Sequence, residues 1–341
     1  MFARTEAASG MKIAIVSCPL EQAPRRLMQS SFPQRQTARR ILRVKSASHH
    51  EREGDSSEAR ATIVVLTYNR LIQVQQTLHA LIKLPGGWPI IVVDNGSRDE
   101  TAATIKRNFP QIAVLRSPLN LGAAGRNLAL AQLNSPYVAF CDDDTQWESG
   151  ALERAVQILD ASEHVGILSA RVEMGASRRP DPTGLEMAQS PLPREDLPGP
   201  QLLGFMAGAC VMRATAFRAT GGYWPPFFIG GEEELMAYDV IGHGWRIVYA
   251  DEVVTRHFPS GIRDTRLRQR LLLRNAVWVV WMRRPWRAVG RETWRLLKQA
   301  RAAQILRPVL ASTLLGLPRA LSRRKAISPA LEQMRRLLDN K

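Results

Sequence analysis

The sequence predicts an α/β fold, a parallel sheet with helices on its faces and a basic helical extension after it. Three observations carry that reading. Between Ala61 and Asp144, short β-branched runs alternate with helix-periodic stretches, four strand–helix units in about 80 residues, which calls for a parallel sheet with right-handed crossovers. Three of the runs end in polar residues, at Thr67, Asp94 and Asp142, so their polar ends gather at one sheet edge, where open α/β sheets place ligands. Charge then divides the chain: residues 1–60 carry 11 basic and 6 acidic side chains, residues 61–262 carry 16 and 21, and residues 263–341 carry 20 and 4. The first block reads as a basic, poorly ordered extension, the second as the folded core, and the third as a basic amphipathic helical extension.

The elements follow in order. Thr62-Ile63-Val64-Val65-Leu66 is the first strand, and Leu71, Val74, Leu78 and Leu81 lie on one face of the helix after it. Pro85-Gly86-Gly87 ends that helix, and Ile90-Ile91-Val92-Val93 is the second strand, running into Asp94-Asn95-Gly96-Ser97. Ser97 with Glu100 has the spacing of a capping box and predicts a helix from Arg98. Ile112–Leu115 is the third strand, and Asn120-Leu121-Gly122 through Arg126-Asn127 leads into a helix of Leu and Ala. Tyr137-Val138-Ala139-Phe140 is the fourth, followed by Asp142-Asp143-Asp144 and a helix expected from near Glu148. Residues 176–200 hold six prolines and predict a long mobile loop, Gly204–Met212 predicts another core strand, and Trp224–Phe228 forms an aromatic edge.

Composition narrows the function. With 341 residues and 45% hydrophobic content the chain buries a sizeable core. Cys18, Cys141 and Cys210 are widely spaced, which argues for a reducing, cytoplasmic setting and against a disulfide scaffold or zinc site. No apolar stretch reaches the roughly 18 residues a membrane span needs. His49-His50, in a polar segment, reads as solvated.

Three adjacent acids repel one another, raise each other's pKa and need a positive neighbour; hard carboxylate oxygens favour Mg²⁺ or Mn²⁺. An acidic turn capping the next helix is the other reading. Gly122 and Gly125 do not complete a G-x-G-x-x-G, and no Walker lysine is present, so a dinucleotide or P-loop site is not expected. Glu232-Glu233-Glu234 after Gly230-Gly231 suits a helix start.

Val65-Leu66-Thr67-Tyr68-Asn69-Arg70, Val93-Asp94-Asn95-Gly96-Ser97, Asn120-Leu121-Gly122 with Arg126-Asn127, and Asp142-Asp143-Asp144 resemble, in order and spacing, glycosyltransferase family 2, in particular its rhamnosyltransferase-like members. Gly221-Gly222-Tyr223, Gly231-Glu232-Glu233-Glu234, Gly244-Trp245-Arg246 and His257 extend the likeness, which spans residues 61–285. The resemblance implies a GT-A fold, a Rossmann-like sheet sandwiched by helices, and a nucleotide-diphosphate sugar donor. It implies donor contacts from Thr67, Asn69, Asp94, Arg126, Asp142 and Asp143, a Mn²⁺ or Mg²⁺ ion on Asp142, Asp144 and His257, and a catalytic base at Glu233, with Glu232 second. This chain has Glu where a Glu-Asp pair is common. The reaction implied is inverting hexosyl or deoxyhexosyl transfer to a glycan or lipid-linked acceptor in cell-envelope synthesis, with residues 176–200 on the acceptor side. The alternative is a catalytically silent glycan or nucleic-acid binding protein on the same fold.

In residues 263–341, Trp278, Trp281, Trp286 and Trp294 interleave with arginines. This fits a helix lying on an anionic membrane surface, which would make the protein peripheral on the inner face of the cytoplasmic membrane. A helical domain packed on the core is the second reading. Nucleic acid is the least expected partner.

Overall fold

A mixed sheet of nine strands carries the site in this computed structural model, which describes residues 59–259 and 265–339. The expected N-terminal extension through residue 58, with Cys18 and His49-His50, and the boundary at 262–263 lie outside the described residues.

Strands β1 (Ala61–Thr67), β2 (Ile90–Asp94), β3 (Ala113–Arg116) and β4 (Tyr137–Asp142) run parallel in the order β3-β2-β1-β4. Strands β1 and β2 are apolar on both faces and fully buried, as parallel strands covered by helices must be. Thr67 pairs with Asp94 and Leu66 with Asp142, so the polar strand ends meet at one edge as the sequence predicts. Helix α1 (Leu71–Ile82) buries Val74, Leu78 and Leu81.

Past β4 the pairing changes sense. Strand β8 (Ala209–Arg213) lies antiparallel between β4 and β6 (Val165–Met174), and β9 (Arg246–His257) runs parallel to β6. Strand β5 (Thr145–Trp147), only three residues long, closes the sheet antiparallel to β9, with Thr145 opposite His257.

Several elements differ from the sequence reading. Helix α2 (Thr101–Asn108) starts three residues after the expected Arg98, because Ser97 is used elsewhere and Asp99 accepts from the Thr101 N–H at 3.1 Å. The segment Gly122–Gln132 is 3₁₀ rather than α-helical. Helix α3 spans Ala151–Ala161, with β5 occupying the interval after the acids. Residues 176–200 contain β7 (Arg179–Pro180), paired with β6, and helix α4 (Pro182–Ala188). Asp181 caps α4 by accepting from Thr183 N–H at 2.9 Å, with Pro182 at the first helical position, a start signal hidden among the prolines. Strand β8 begins only at Ala209, five residues after the expected Gly204.

Helix α5 (Ala214–Thr220) precedes the aromatic edge, which turns inward: Trp224 and Phe227 are buried. They pack beside Trp278 of α7 (Thr265–Arg283). Helices α8 (Trp286–Ala302), α9 (Leu306–Leu321) and α10 (Pro329–Asp339) complete the C-terminal part. It is tied to the core by α6 (Glu232–Gly242), whose Asp239 receives Arg283 Nε and Nη2 at 2.8 and 2.9 Å. Arg284 makes a buried two-point pair with Glu332 at 2.7 and 3.1 Å. Among the described residues, no helix is long and apolar enough to cross a membrane.

Candidate active site

The three acids after β4 separate into different environments. Asp143 is buried; its Oδ2 accepts from Thr67 Oγ1 at 2.9 Å and its Oδ1 lies 2.9 Å from Arg70 Nη1. The same Arg70 nitrogen reaches Asp144 Oδ2 at 3.0 Å. The positive neighbour that the acids require is thus in part a buried arginine, contributed by the residue just before α1. Asp142 faces the other way and accepts from Arg126. Burial pushes Asp143 up to about 8, with Arg70 opposing and the two flanking carboxylates adding to the rise. Burial raises Asp142 as well, against the pull of Arg126.

Asp144 keeps one oxygen uncommitted. Its Oδ1 is buried without a hydrogen-bond partner, 3.4 Å from His257 Nε2, which is buried and equally unpartnered. The antiparallel pairing of β5 with β9 creates this approach: Thr145 sits opposite His257, and Phe258 N–H donates to the Asp144 carbonyl at 2.8 Å. A hard carboxylate oxygen facing an imidazole nitrogen, both desolvated and both unspent, is a donor pair that fits a divalent cation. Asp142, the third ligand expected, is held by Arg126 instead, and among the described residues no three such side chains converge on one point.

The edge expected to face the donor is built from two loops locked together. Asn69, at φ 52°, accepts from Arg98 N–H at 2.8 Å through its side chain, while its own N–H donates to Ser97 Oγ at 2.9 Å. The side chains of Thr67 and Asn69 are therefore engaged within the protein. Asp94 is fully buried at the end of β2; Oδ1 accepts from Ser97 N–H at 3.1 Å, and Oδ2 lies 3.2 Å from Arg116 Nε. That second contact is an ion pair without hydrogen-bond alignment, so Oδ2 retains acceptor capacity.

Arg126 links this edge to the acidic helix start. It is buried in the 3₁₀ segment, its guanidinium 5.8 Å from the Tyr223 ring centre, and it feels both Asp142 and Glu232. Burial works against its charge, but those neighbours outweigh burial and hold its pKa above the ordinary value.

The three glutamates at the start of α6 have different fates. Glu234 accepts from Tyr238 OH at 2.9 Å and lies 3.7 Å from Arg335 Nε of α10, so it belongs to the packing of the helices. Glu232 is buried, with Oε2 unpartnered; burial, then Glu233, push its carboxyl well up. Glu233 is half-buried, and burial pushes it up to about 7 against the helix N-terminus and Arg126. Asp142 adds to that rise. Gly230 and Gly231 lead into this turn at φ 83° and 82°, and a Cβ on Gly230 would collide with Leu272 of α7.

Sequence reasoning missed several groups. Gly208 leaves room for the Asp142 carboxylate, which a Cβ there would overlap. Arg70 stood inside a quoted motif, but nothing local marks it as a buried counter-ion. Asn275 of α7 donates to the carbonyls of Phe227, Ile229 and Gly230 at 2.9, 3.0 and 2.6 Å, and Arg274 donates to those of Pro226 and Phe227 at 3.0 and 3.1 Å. The C-terminal part thereby grips the segment that delivers Glu232 and Glu233.

Residues 62–221 match the family model described as Glycosyl transferase family 2. Among curated proteins, the putative teichuronic acid biosynthesis glycosyltransferase TuaG of Bacillus subtilis is 29% identical over 103 residues, 29% of this chain and 41% of that one. The poly(ribitol-phosphate) β-N-acetylglucosaminyltransferase TarS of Staphylococcus aureus is 25% identical over 181 residues, 51% of this chain and 31% of that one. The chain thus spans less than half of either relative. The N-acetylglucosaminyl-diphospho-decaprenol L-rhamnosyltransferase of Mycobacterium tuberculosis is 23% identical over 57% of this chain and 75% of its own length. Among solved structures, GalNAc-T7 with UDP, GalNAc and Mn²⁺ superposes with a TM-score of 0.51 at 15% identity, covering 67% of this chain and 48% of the other. That likeness establishes the GT-A fold.

Proposed function

We infer, from a chain that carries a glycosyltransferase family 2 domain on a GT-A fold, that it moves a sugar from a nucleotide-diphosphate donor to a hydroxyl of a glycan or lipid-linked acceptor. The observation that carries this reading is the buried pair Asp144 Oδ1 and His257 Nε2, 3.4 Å apart, both unpartnered, on the sheet edge that also holds Asp94. A divalent cation, Mn²⁺ or Mg²⁺, held by Asp144 and His257 with Asp142 as the third candidate, would neutralise the charge gathering on the departing diphosphate. Asp94 Oδ2 offers an acceptor to the nucleoside, and Arg126 a cation to the phosphates.

The acceptor oxygen attacks the anomeric carbon as the bond from that carbon to the diphosphate oxygen breaks, with inversion, and Glu233 takes the hydroxyl proton. A carboxyl pushed up to about 7 is matched to that duty near neutral pH. Two of the relatives are named for teichuronic acid synthesis and for transfer to a decaprenol-linked sugar, which supports an acceptor of the cell envelope.

The test is a thermal-shift series with nucleoside diphosphates, with and without Mn²⁺. Binding at a hundredfold excess over Kd stabilises by about 2.7 kcal/mol, a rise of several degrees. The expected result is a rise that needs Mn²⁺ and that Asp144→Ala loses, followed by transfer or hydrolysis from a nucleotide-sugar panel. A silent binding protein would give no turnover from any donor. An unchanged, metal-independent shift in Asp144→Ala would remove the cation from this site.

A further inference from the structure

Helix α8 turns one face inward, with Ala288, Val289, Glu292, Leu296 and Ala300 buried. At 3.6 residues per turn, the opposite face consists of Arg287, Arg291, Trp294, Lys298 and Arg301, in steps of four, three, four and three, all exposed. The row extends about 21 Å along the axis at 1.5 Å per residue. No acid interrupts it. The one acid of the helix, Glu292, lies beneath, paired with Arg291 and Arg295 Nε at 3.1 and 2.9 Å. Trp294 is 63% exposed at the centre of the row, with the Lys298 ammonium 5.3 Å from its ring centre.

Here the tryptophans of the basic extension divide. Trp278 is buried, with its Nε1 donating to the Thr313 carbonyl at 3.0 Å, and Trp281 bonds Thr293; Trp286 is exposed with the Arg324 guanidinium over its ring, and Trp294 faces outward among the cations of the row. A large aromatic in water, framed by cations whose one acidic neighbour on the helix, Glu292, is buried beneath them, suits the boundary between anionic headgroups and acyl chains. We propose that this face of α8 docks on an anionic lipid bilayer. Charge complementarity names the occupant, and the apolar groups nearby separate it from nucleic acid. Helix α9, which packs on α7 and α8, presents Leu314 and Leu315 at 63% and 62% exposure, side chains that suit acyl chains and gain nothing from a phosphate backbone. Docking does not depend on the transferase reading.

The experiment is flotation of the full chain with phosphatidylcholine vesicles and with vesicles of equal parts phosphatidylcholine and phosphatidylglycerol. Wild type should float with the anionic vesicles only and release in high salt. Each basic residue near the surface contributes about fivefold to partitioning, so Arg287→Glu with Lys298→Glu should lower it at least about 25-fold at unchanged Tm. Trp294→Ala should lower it severalfold and leave more salt dependence in what remains. Absence of flotation overturns the proposal. So does undiminished flotation of the charge-reversed protein, which would move the contact to another basic segment. Binding of DNA or RNA that the reversal abolishes, without vesicle binding, would assign the face to nucleic acid.

Discussion

In its proposed role as base, Glu233 carries opposite demands. As a base it must be ionised, so transfer should rise with pH through about 7 and level off above. As a partly buried carboxyl with a raised pKa, it contributes stability that is complete below the ordinary carboxylate range and fades as pH climbs through that same value. Activity and the contribution of this one group to stability therefore run in opposite directions across neutrality. In rate profiles and melts from pH 5.5 to 8.5, Glu233→Gln should lose about 10² to 10⁴ in kcat and flatten the acidic limb, with donor affinity near normal. As pH rises from 5.5 to about 7 it should also lose less Tm than wild type, with no further divergence above. Glu232 and Glu233 interact, so the limb belongs to the pair, and Glu232→Gln apportions it. If Glu232→Gln alone abolishes transfer, the base is one position earlier. If both variants turn over normally, the base lies elsewhere.

At the scale of elements, α7 holds the turn before Glu232 by its backbone. Asn275→Ala leaves the Ile229 and Gly230 carbonyls short of a partner, at about 1–3 kcal/mol for each that water cannot reach, while Phe227 keeps Arg274. The expected outcome is a Tm lower by several degrees and a kcat that falls more than donor KM rises; an unchanged kcat would reduce the clamp to packing alone. The sequence exposed β1, β2, β4 and α1 because their signals are local: β-branched runs, and apolar residues at helical spacing. It also placed the polar ends of those strands at one edge, since parallel pairing leaves little choice. The misjudged elements depend on distant partners. β5 is three residues that hold only through β9; Ser97 serves Asn69 instead of a helix start; and Gly122–Gln132 tightens to 3₁₀ beside Phe228, whose carbonyl accepts from Ala123 N–H at 2.7 Å. Among site residues, the sequence singled out Asp144 and His257, but that Arg126 would occupy Asp142 and that Asn275 would grip residues 227–230 is fixed by packing, which no local pattern encodes.

Across the whole molecule, one apolar cluster joins Leu203, Trp224, Phe227 and Leu235 of the core with Trp278, Val279, Met282 and Leu331 of the C-terminal helices. Burying side chains of this size is worth about 1.5–3 kcal/mol each, so the helices are part of the folded core in energetic terms. A chain ending at residue 259 should aggregate or melt well below the full protein, and in the full protein the sheet and the C-terminal helices should unfold together in a single calorimetric transition. A separate low-temperature transition lost on truncation would show the helices to be independent. The pairing of Thr145 with His257, over a hundred positions apart, sets an order of events as well as a geometry. Closing so long a loop is slow relative to local contacts, and chains fold from the N-terminus as they emerge. By residue 144 the ribosome has delivered Asp94 and the three acids, yet not Glu233, His257 or Asn275. On the proposed roles, a nascent chain that has reached only Asp144 would hold the acids without the groups that complete the site.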